Sequence, residues 1–288
     1  MCADIYKALP NASQMKTILV INDHSPEAIH AAKVGLLIAQ HHHADLLLAN
    51  CQTYAGKTLE RAVAGGLYKD TGYARSENYL LDDLQCFNQS VNGFKPQISL
   101  AELSGAGEVA IAEFAAKNQV EMIVCGVMPD AGNPRSKLSN SKLLKKINCP
   151  LLLVPYGWEI KNIERMCYIA ELRYCRLDVV TYLAHFAAPW PADVSIAHLC
   201  AKSLPEMEAK YAQTVFEQQY QNKVNYPRLL FTPVGERDVR LAVDVFIHAM
   251  NTDILVLVNQ CFHFQDALGG STVDHFPAHI TVPLLIFP

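Results

Sequence analysis

The sequence predicts an α/β protein built from two tandem doubly wound parallel sheets, and three observations carry that prediction. Four segments recur in the same order in both halves of the 288 residues. Each is a short apolar run without polar alternation, the pattern of a parallel strand covered on both faces. Helix-length amphipathic stretches separate the runs, so strand and helix alternate as right-handed βαβ units.

The first repeated strand, Thr17 to Asp23 (TILVIND), returns as Met166 to Glu171 (MCYIAE). The second, Ala44 to Cys51 (ADLLLANC), returns as Ala192 to Leu199 (ADVSIAHL), with Asp45 and Asp193 148 residues apart. Glu121 to Val127 (EMIVCGV) matches Asp253 to Asn259 (DILVLVN) at an offset of 132, and Pro150 to Pro155 (PLLLVP) matches Pro283 to Pro288 (PLLIFP) at 133. The fall in offset puts about 16 extra residues between the second and fourth strands of the first half. That insert is expected to include the Gly-rich stretch from Ala64 to Gly72, which reads as a surface loop.

Between the strands, Ser25 is an N-cap with Pro26 at the first helical position, and Ala28, Ala31, Ala32, Gly35 and Leu36 give that helix its inner face. The corresponding helix of the second half should begin near Tyr174. Later helices are expected over Glu108 to Lys117, Leu204 to Gln221 and Asp238 to Ala249. The boundary falls at Tyr156-Gly157-Trp158, giving an N-terminal extension (1–15), a first domain (16–156) and a second (157–288).

Composition narrows the function. With 51% hydrophobic and 18% charged residues the chain can bury a large core, and 24 Lys+Arg against 28 Asp+Glu (net −4) is poorly suited to phosphate backbones or anionic lipid. Neither nucleic acid nor membrane is an expected partner. Nine widely spaced cysteines with no C-x-x-C pair argue against a disulfide framework and for a reducing cytoplasm. In such sheets ligands sit beyond the carboxyl ends of the strands, where the strand order reverses. Asn22, Asp23 and Gly126 onward in the first half, and Glu171 and Asn259 onward in the second, are therefore the positions to inspect.

These segments resemble tandem universal stress proteins of the UspA class over nearly all of residues 16 to 288. The resemblance rests on Val20-x-x-Asp23-x-Ser25-x-x-Ala28, on Glu121-Met122-Ile123-Val124-Cys125-Gly126 and on Cys149 to Pro155. It implies a five-stranded parallel Rossmann-like domain of the adenine nucleotide alpha hydrolase type in each half, and a non-enzymatic stress-response or signalling role. ATP-binding members carry G-x-x-G-x9-G-[ST] after the fourth strand, where glycines let backbone N–H groups approach phosphate and a helix N-terminus favours the anion. Here Gly126 matches the first glycine, Pro129 stands at the second, and no glycine occurs from Asn133 to Tyr156. In the second half Val258 and Cys261 take the first two positions, and Gly269-Gly270-Ser271-Thr272 supplies the last element. The adenine-side Asp corresponds to Asp23 in one half and to Glu171 in the other.

Asp23 could meet an adenine or ribose edge, or simply end a strand and cap a helix. Gly270, Ser271 and Thr272 could hold a phosphate at the start of a short helix toward His279, or form an ordinary N-cap. Cys261, His263, His275 and His279 are zinc-ligand types within nineteen residues, but the spacing fits no finger and Pro277 separates the last two, so they read as loop residues rather than a metal site. His41-His42-His43 suits the negative end of the first helix. No G-x-S-x-G, H-E-x-x-H or intact P-loop is present, so no enzyme is expected.

The expected function is a stress-response interaction protein with degenerate nucleotide loops and no cofactor. An ATP or AMP sensor using one half, with ATP or a small anion as ligand, and a hydrolase of nucleotide-like or phosphoester compounds are the alternatives. The expected assembly is an intramolecular pseudo-dimer in which the two closing strands pair and cover each other's apolar edge. Further homodimerisation and a protein partner stay open.

Overall fold

The computed structural model describes residues 16–51, 73–90, 93–129 and 138–288, so the extension 1–15 and the insert from Ala64 to Gly72 lie outside the described residues. The first half runs β1 (Thr17–Asn22), α1 (Pro26–His42), β2 (Asp45–Asn50), α2 (Tyr73–Ser90), β3 (Ile98–Glu102), α3 (Glu108–Lys117), β4 (Met122–Val127), α4 (Asn140–Leu144) and β5 (Leu151–Pro155). The second runs β6 (Arg165–Ala170), α5 (Leu177–Ala187), β7 (Asp193–His198), α6 (Ala209–Phe216), β8 (Leu229–Pro233), α7 (Val239–Asp244), β9 (Ile254–Val258), α8 (Phe264–Ala267) and β10 (Leu284–Phe287).

The ten strands of the described residues form one sheet in the order β3-β2-β1-β4-β5-β10-β9-β6-β7-β8. Within each half every pairing is parallel, as the uninterrupted apolar runs require: β5, β9 and β10 are buried at every position. The halves meet where β5 pairs antiparallel with β10, Leu153 opposite Leu284 and Leu151 opposite Ile286. That junction makes the cores of the two halves continuous. The two outermost strands, β3 and β8, have no counterpart among the sequence-derived strands. Both are edges with one wet face, leaving Leu100 and Leu230 about half exposed, and their short mixed sequences lack the apolar run that marks a central strand.

The helices follow local signals, with informative departures. Ser25 caps α1 through its hydroxyl, which accepts from Ala28 N (3.1 Å), and α3 has the expected bounds. In the second half, a 3-10 turn (Leu172–Tyr174) precedes α5, so this helix starts three residues later than α1 does after its own strand. α6 and α7 each end in a five-residue π-helical turn, Glu217–Gln221 and Val245–Ala249. The helix expected after Gly270 does not form. α8 instead precedes the glycines, and Gly269 (φ +61°) and Gly270 (φ +78°) terminate it in the left-handed conformation that glycine adopts without strain.

A second contact joins the halves beside the sheet. Ser139, the N-cap of α4, donates from its hydroxyl to the Asp274 carboxylate (3.1 Å), Ser141 N donates to the same carboxylate (3.2 Å), and the Asn140 amide donates to the Val273 carbonyl (3.3 Å). Ser139 and Thr272 lie 133 residues apart, the offset of the paired strands, and each accepts the N–H three residues on. The turns are therefore repeat-related, although only the first continues into a helix.

Candidate functional site

In each half the strand order reverses beside the first strand, between β1 and β4 and between β6 and β9, so the sites to inspect lie at the carboxyl ends of those pairs. In the first half, Asp23 follows β1 and its carboxylate accepts from Ser25 N (3.1 Å) in a local turn. Beside it the buried amides of Asn22 and Asn50 bond to each other (2.9 Å) and tie the ends of β1 and β2 together. Gly126 is explained by packing. A Cβ there would lie 2.1 Å from the Glu27 carbonyl oxygen, so the first turn of α1 rests directly on β4 and no side chain fits between them. The two nearby thiols are buried, and burial pushes Cys51 up to about 12 and Cys125 higher still, which suits small apolar packing groups rather than nucleophiles.

The loop beyond Pro129 passes through residues 130–137, outside the described residues, and re-emerges at α4. Counted along the family pattern, the last glycine and its hydroxyl partner fall at Ser139 and Asn140. There the anion is a protein carboxylate: Asp274 of the second half lies on the first turn of α4, while Glu108 accepts from Ser139 N (2.9 Å). This backbone N–H holds the Glu108 carboxyl below its usual range.

The second half is closed differently. Glu171 follows β6 with its side chain fully buried, gripped by the Arg173 guanidinium at 2.8 and 3.1 Å and accepting from Ala201 N (3.1 Å) and Arg173 N (3.3 Å). Burial pushes this carboxyl up, but the Arg173 and Ala201 hydrogen bonds outweigh it and hold it below the usual carboxylate value. Arg173 also reaches the Pro205 carbonyl (2.9 Å) and the Cys200 sulfur (3.8 Å). Little room is left: the hollow bounded by Tyr168, Glu171, Tyr174, Val258, Cys261 and Phe262 holds about 10 Å³. A neighbouring cavity of about 200 Å³ lies between the turn after β7, the start of α7 and the loop after β9, with Lys202, Ser203, Arg237, His263 and Asp266 in its wall.

Gly270, Ser271 and Thr272 do not converge on either space. The N–H groups of Gly269, Gly270 and Ser271 already donate to the carbonyls of Asp266, Gln265 and Leu268, and the Thr272 hydroxyl accepts from His275 N (3.3 Å). The histidines near Cys261 in sequence have separate partners: His263 and His279 bond through Nε2 to the carbonyls of Leu199 and Ala267. No group of three or more potential metal ligands occurs among the described residues. Sequence reasoning missed Arg173, Lys202, Arg237 and Asp274. Arg173, two residues beyond a strand-end acid, was detectable as a local ion pair, whereas Asp274 acts across the halves and leaves no local trace.

A search of curated proteins found no match. Residues 15–155 match the family model for the Universal stress protein family. The first half of the chain belongs to the universal stress protein family. Solved structures match both halves together. A universal stress protein from Archaeoglobus fulgidus DSM 4304 aligns with 95% of this chain and 96% of its own at 9% identity and a TM-score of 0.61. A putative universal stress protein from Pseudomonas aeruginosa UCBPP-PA14 aligns over 95% and 93% at 13% identity and a TM-score of 0.53. A functionally unknown protein from Pseudomonas aeruginosa PAO1 aligns over 95% and 92% at 13% and 0.54. At these identities the likeness is one of fold, and it extends the universal stress protein architecture to the second half. No helix among the described residues is long and apolar enough to cross a membrane.

Proposed function

We propose that this universal stress protein is a non-enzymatic, cytoplasmic stress-response protein that acts through a protein partner and holds no whole nucleotide at its strand ends. The observation behind this reading is the Glu171–Arg173 pair, which fills the strand-end position of the second half and leaves about 10 Å³ where a nucleotide needs several hundred. The first half supports it, since the Asp274 carboxylate lies on the turn where a phosphate would have to sit. Titration calorimetry of the full chain with ATP and AMP should show no binding below millimolar concentration. Low-micromolar ATP binding, or a nucleotide absorbing near 260 nm released on denaturation, would overturn the reading.

A small-anion reading has one observation in its favour: the cavity of about 200 Å³ carries Lys202 and Arg237 at its mouth and is large enough for a lone phosphate. Both cations already face carboxylates, Asp266 at 3.9 Å and Glu206 at 3.2 Å, and all four side chains are more than half exposed, so the expected affinity is weak. Phosphate titrated against the chain and against Arg237→Ala separates the two readings, because binding lost in the variant favours the anion site.

A further inference from the structure

The halves also meet where the C-terminal end of α1 reaches the C-terminal end of α5, and this contact is aromatic. Trp190, in the turn after α5, packs against His41 (ring centroids 4.8 Å apart), edge-on to His42 (5.3 Å) and against Phe186 (5.5 Å). His42 stacks on Phe186 at 5.0 Å, and both are buried, 9% and 1% exposed. One face of the cluster thus comes from the first half and one from the second.

Two buried atoms in the cluster have no hydrogen-bond partner among the described residues: Nε2 of His42 and Nε1 of Trp190. The Phe186 backbone is the hydrogen-bonding group that acts on the His42 ring, and with Nε2 unpartnered this assigns the proton of the neutral ring to Nδ1. Nε2 is then an acceptor, and the indole Nε1–H is a donor only, so the two orphans are complementary in hydrogen-bonding type. A second proton reverses this. Nε2–H⁺ would be a charged donor beside another donor, in a place from which solvent is excluded.

We propose that the His42–Trp190 contact is an acid-released latch between the two halves, closed while His42 is neutral and opened when the imidazole takes up a proton. The neighbours reinforce the preference for the neutral ring. On its own helix His41 and His43 repel a proton at His42; His41 is bonded to the Asn162 side chain of the segment joining the halves, and His43 stacks on Phe94 at 4.8 Å. From α5 come Phe186, Tyr182 packed on it at 6.3 Å, and the exposed His185, which bonds to the Thr181 carbonyl. Among the described residues, no carboxylate acts on His42.

Burial is the main cause that pushes the His42 imidazole down to about 4 from its usual 6.5. The sign follows. A group whose folded value is depressed and whose neutral form is favoured gives full stability above 6.5, loses it as pH falls and has none left by about 4, a change of roughly 300-fold in the closed-to-open ratio. The paired segments Leu151–Leu153 and Leu284–Ile286 contain no titratable side chain, so the sheet junction stays shut while the latch opens.

Hydrogen exchange of the full chain, read by mass spectrometry at pH 7, 5.5 and 4.5 and corrected for intrinsic rates, tests this. Segments 38–43 and 184–190 should lose protection together in the native protein, by on the order of fifty- to a hundredfold at pH 4.5, while β5 and β10 keep theirs. In His42→Phe, which keeps a stacked ring, and in His42→Gln, which keeps a neutral donor, the two segments should stay closed. Glu171 is present in every protein compared, so its own acid response cancels. Equal opening in both variants, opening of one segment alone, simultaneous opening of β5 and β10, or no opening in the native protein by pH 4.5 would each overturn the latch.

Discussion

The two strand-end regions share one arrangement and are closed by different means. At the end of β1 the closure is backbone on backbone: α1 starts within four residues of the strand, and its first turn lies against Gly126. At the end of β6 a 3-10 turn sets α5 back, Val258 carries a side chain where Gly126 has none, and the position is filled by a buried carboxylate and its guanidinium. Conserving the fold therefore does not conserve the reason a residue is present. A strand-end glycine serves packing in one half, and a strand-end acid serves an internal ion pair in the other.

The sharpest way to break this comparison is Gly126→Ala against Val258→Ala. A Cβ at 126 would meet backbone rather than a movable side chain, so a loss of about 3 kcal/mol or more is expected, or failure to fold. Val258→Ala removes two buried methyl groups and should cost about 1 to 2.5 kcal/mol. Urea unfolding of both variants measures the difference, and equal losses would show that Gly126 is not a packing glycine.

Next in size is Glu171→Ala against Asp23→Ala. Removing Glu171 leaves Ala201 N–H without its partner and Arg173 without its carboxylate, an expected loss of about 2 to 3 kcal/mol. Asp23 makes one local turn bond in a half-exposed setting, so its loss should stay within about 1 kcal/mol. The Glu171 effect should fade in acid, because a carboxyl held below its usual value stabilises above that value and loses the contribution as pH falls through the folded one. A Glu171→Ala penalty unchanged from pH 7 to pH 3 would refute the ion-pair account.

The smallest effect tests the carboxylate at α4. Asp274→Asn keeps a hydrogen-bonding oxygen but removes the charge from the helix start, and about 0.5 to 1 kcal/mol should be lost. Asp274→Ala should lose about twice that, and thermal melts of the two variants order them.

The central strands were legible because their environment is uniform: TILVIN or ILVLV, covered on both faces, has a single composition that fits. The edges β3 and β8 were not, since a strand with one wet face and five residues of mixed character carries no period long enough to read. Asp23 and Glu171 were correctly placed at strand ends by position alone. What they touch was not legible, because the partners of Glu171 include Ala201 N–H, thirty residues on, and that contact depends on how β6 and β7 lie side by side. The glycine pair at 269 and 270 suggests a helix start in the sequence and is a helix stop in the structure. Phe264, Ala267 and Leu268, all buried and at helical spacing just before the pair, were the overlooked signal.

The junction of β5 with β10 sets a timetable for synthesis. β5 is complete at Pro155, but its partner arrives about 130 residues later, when Leu284 to Ile286 emerge. At typical elongation rates of about 5 to 20 residues per second that interval lasts roughly 6 to 26 seconds. Throughout it the nascent first half displays a wholly apolar strand with one unsatisfied ladder, so neighbouring ribosomes on one message carry matching adhesive edges. A chaperone that shields nascent chains would act on this strand, and slowing translation of the second half should increase aggregation more than slowing the first.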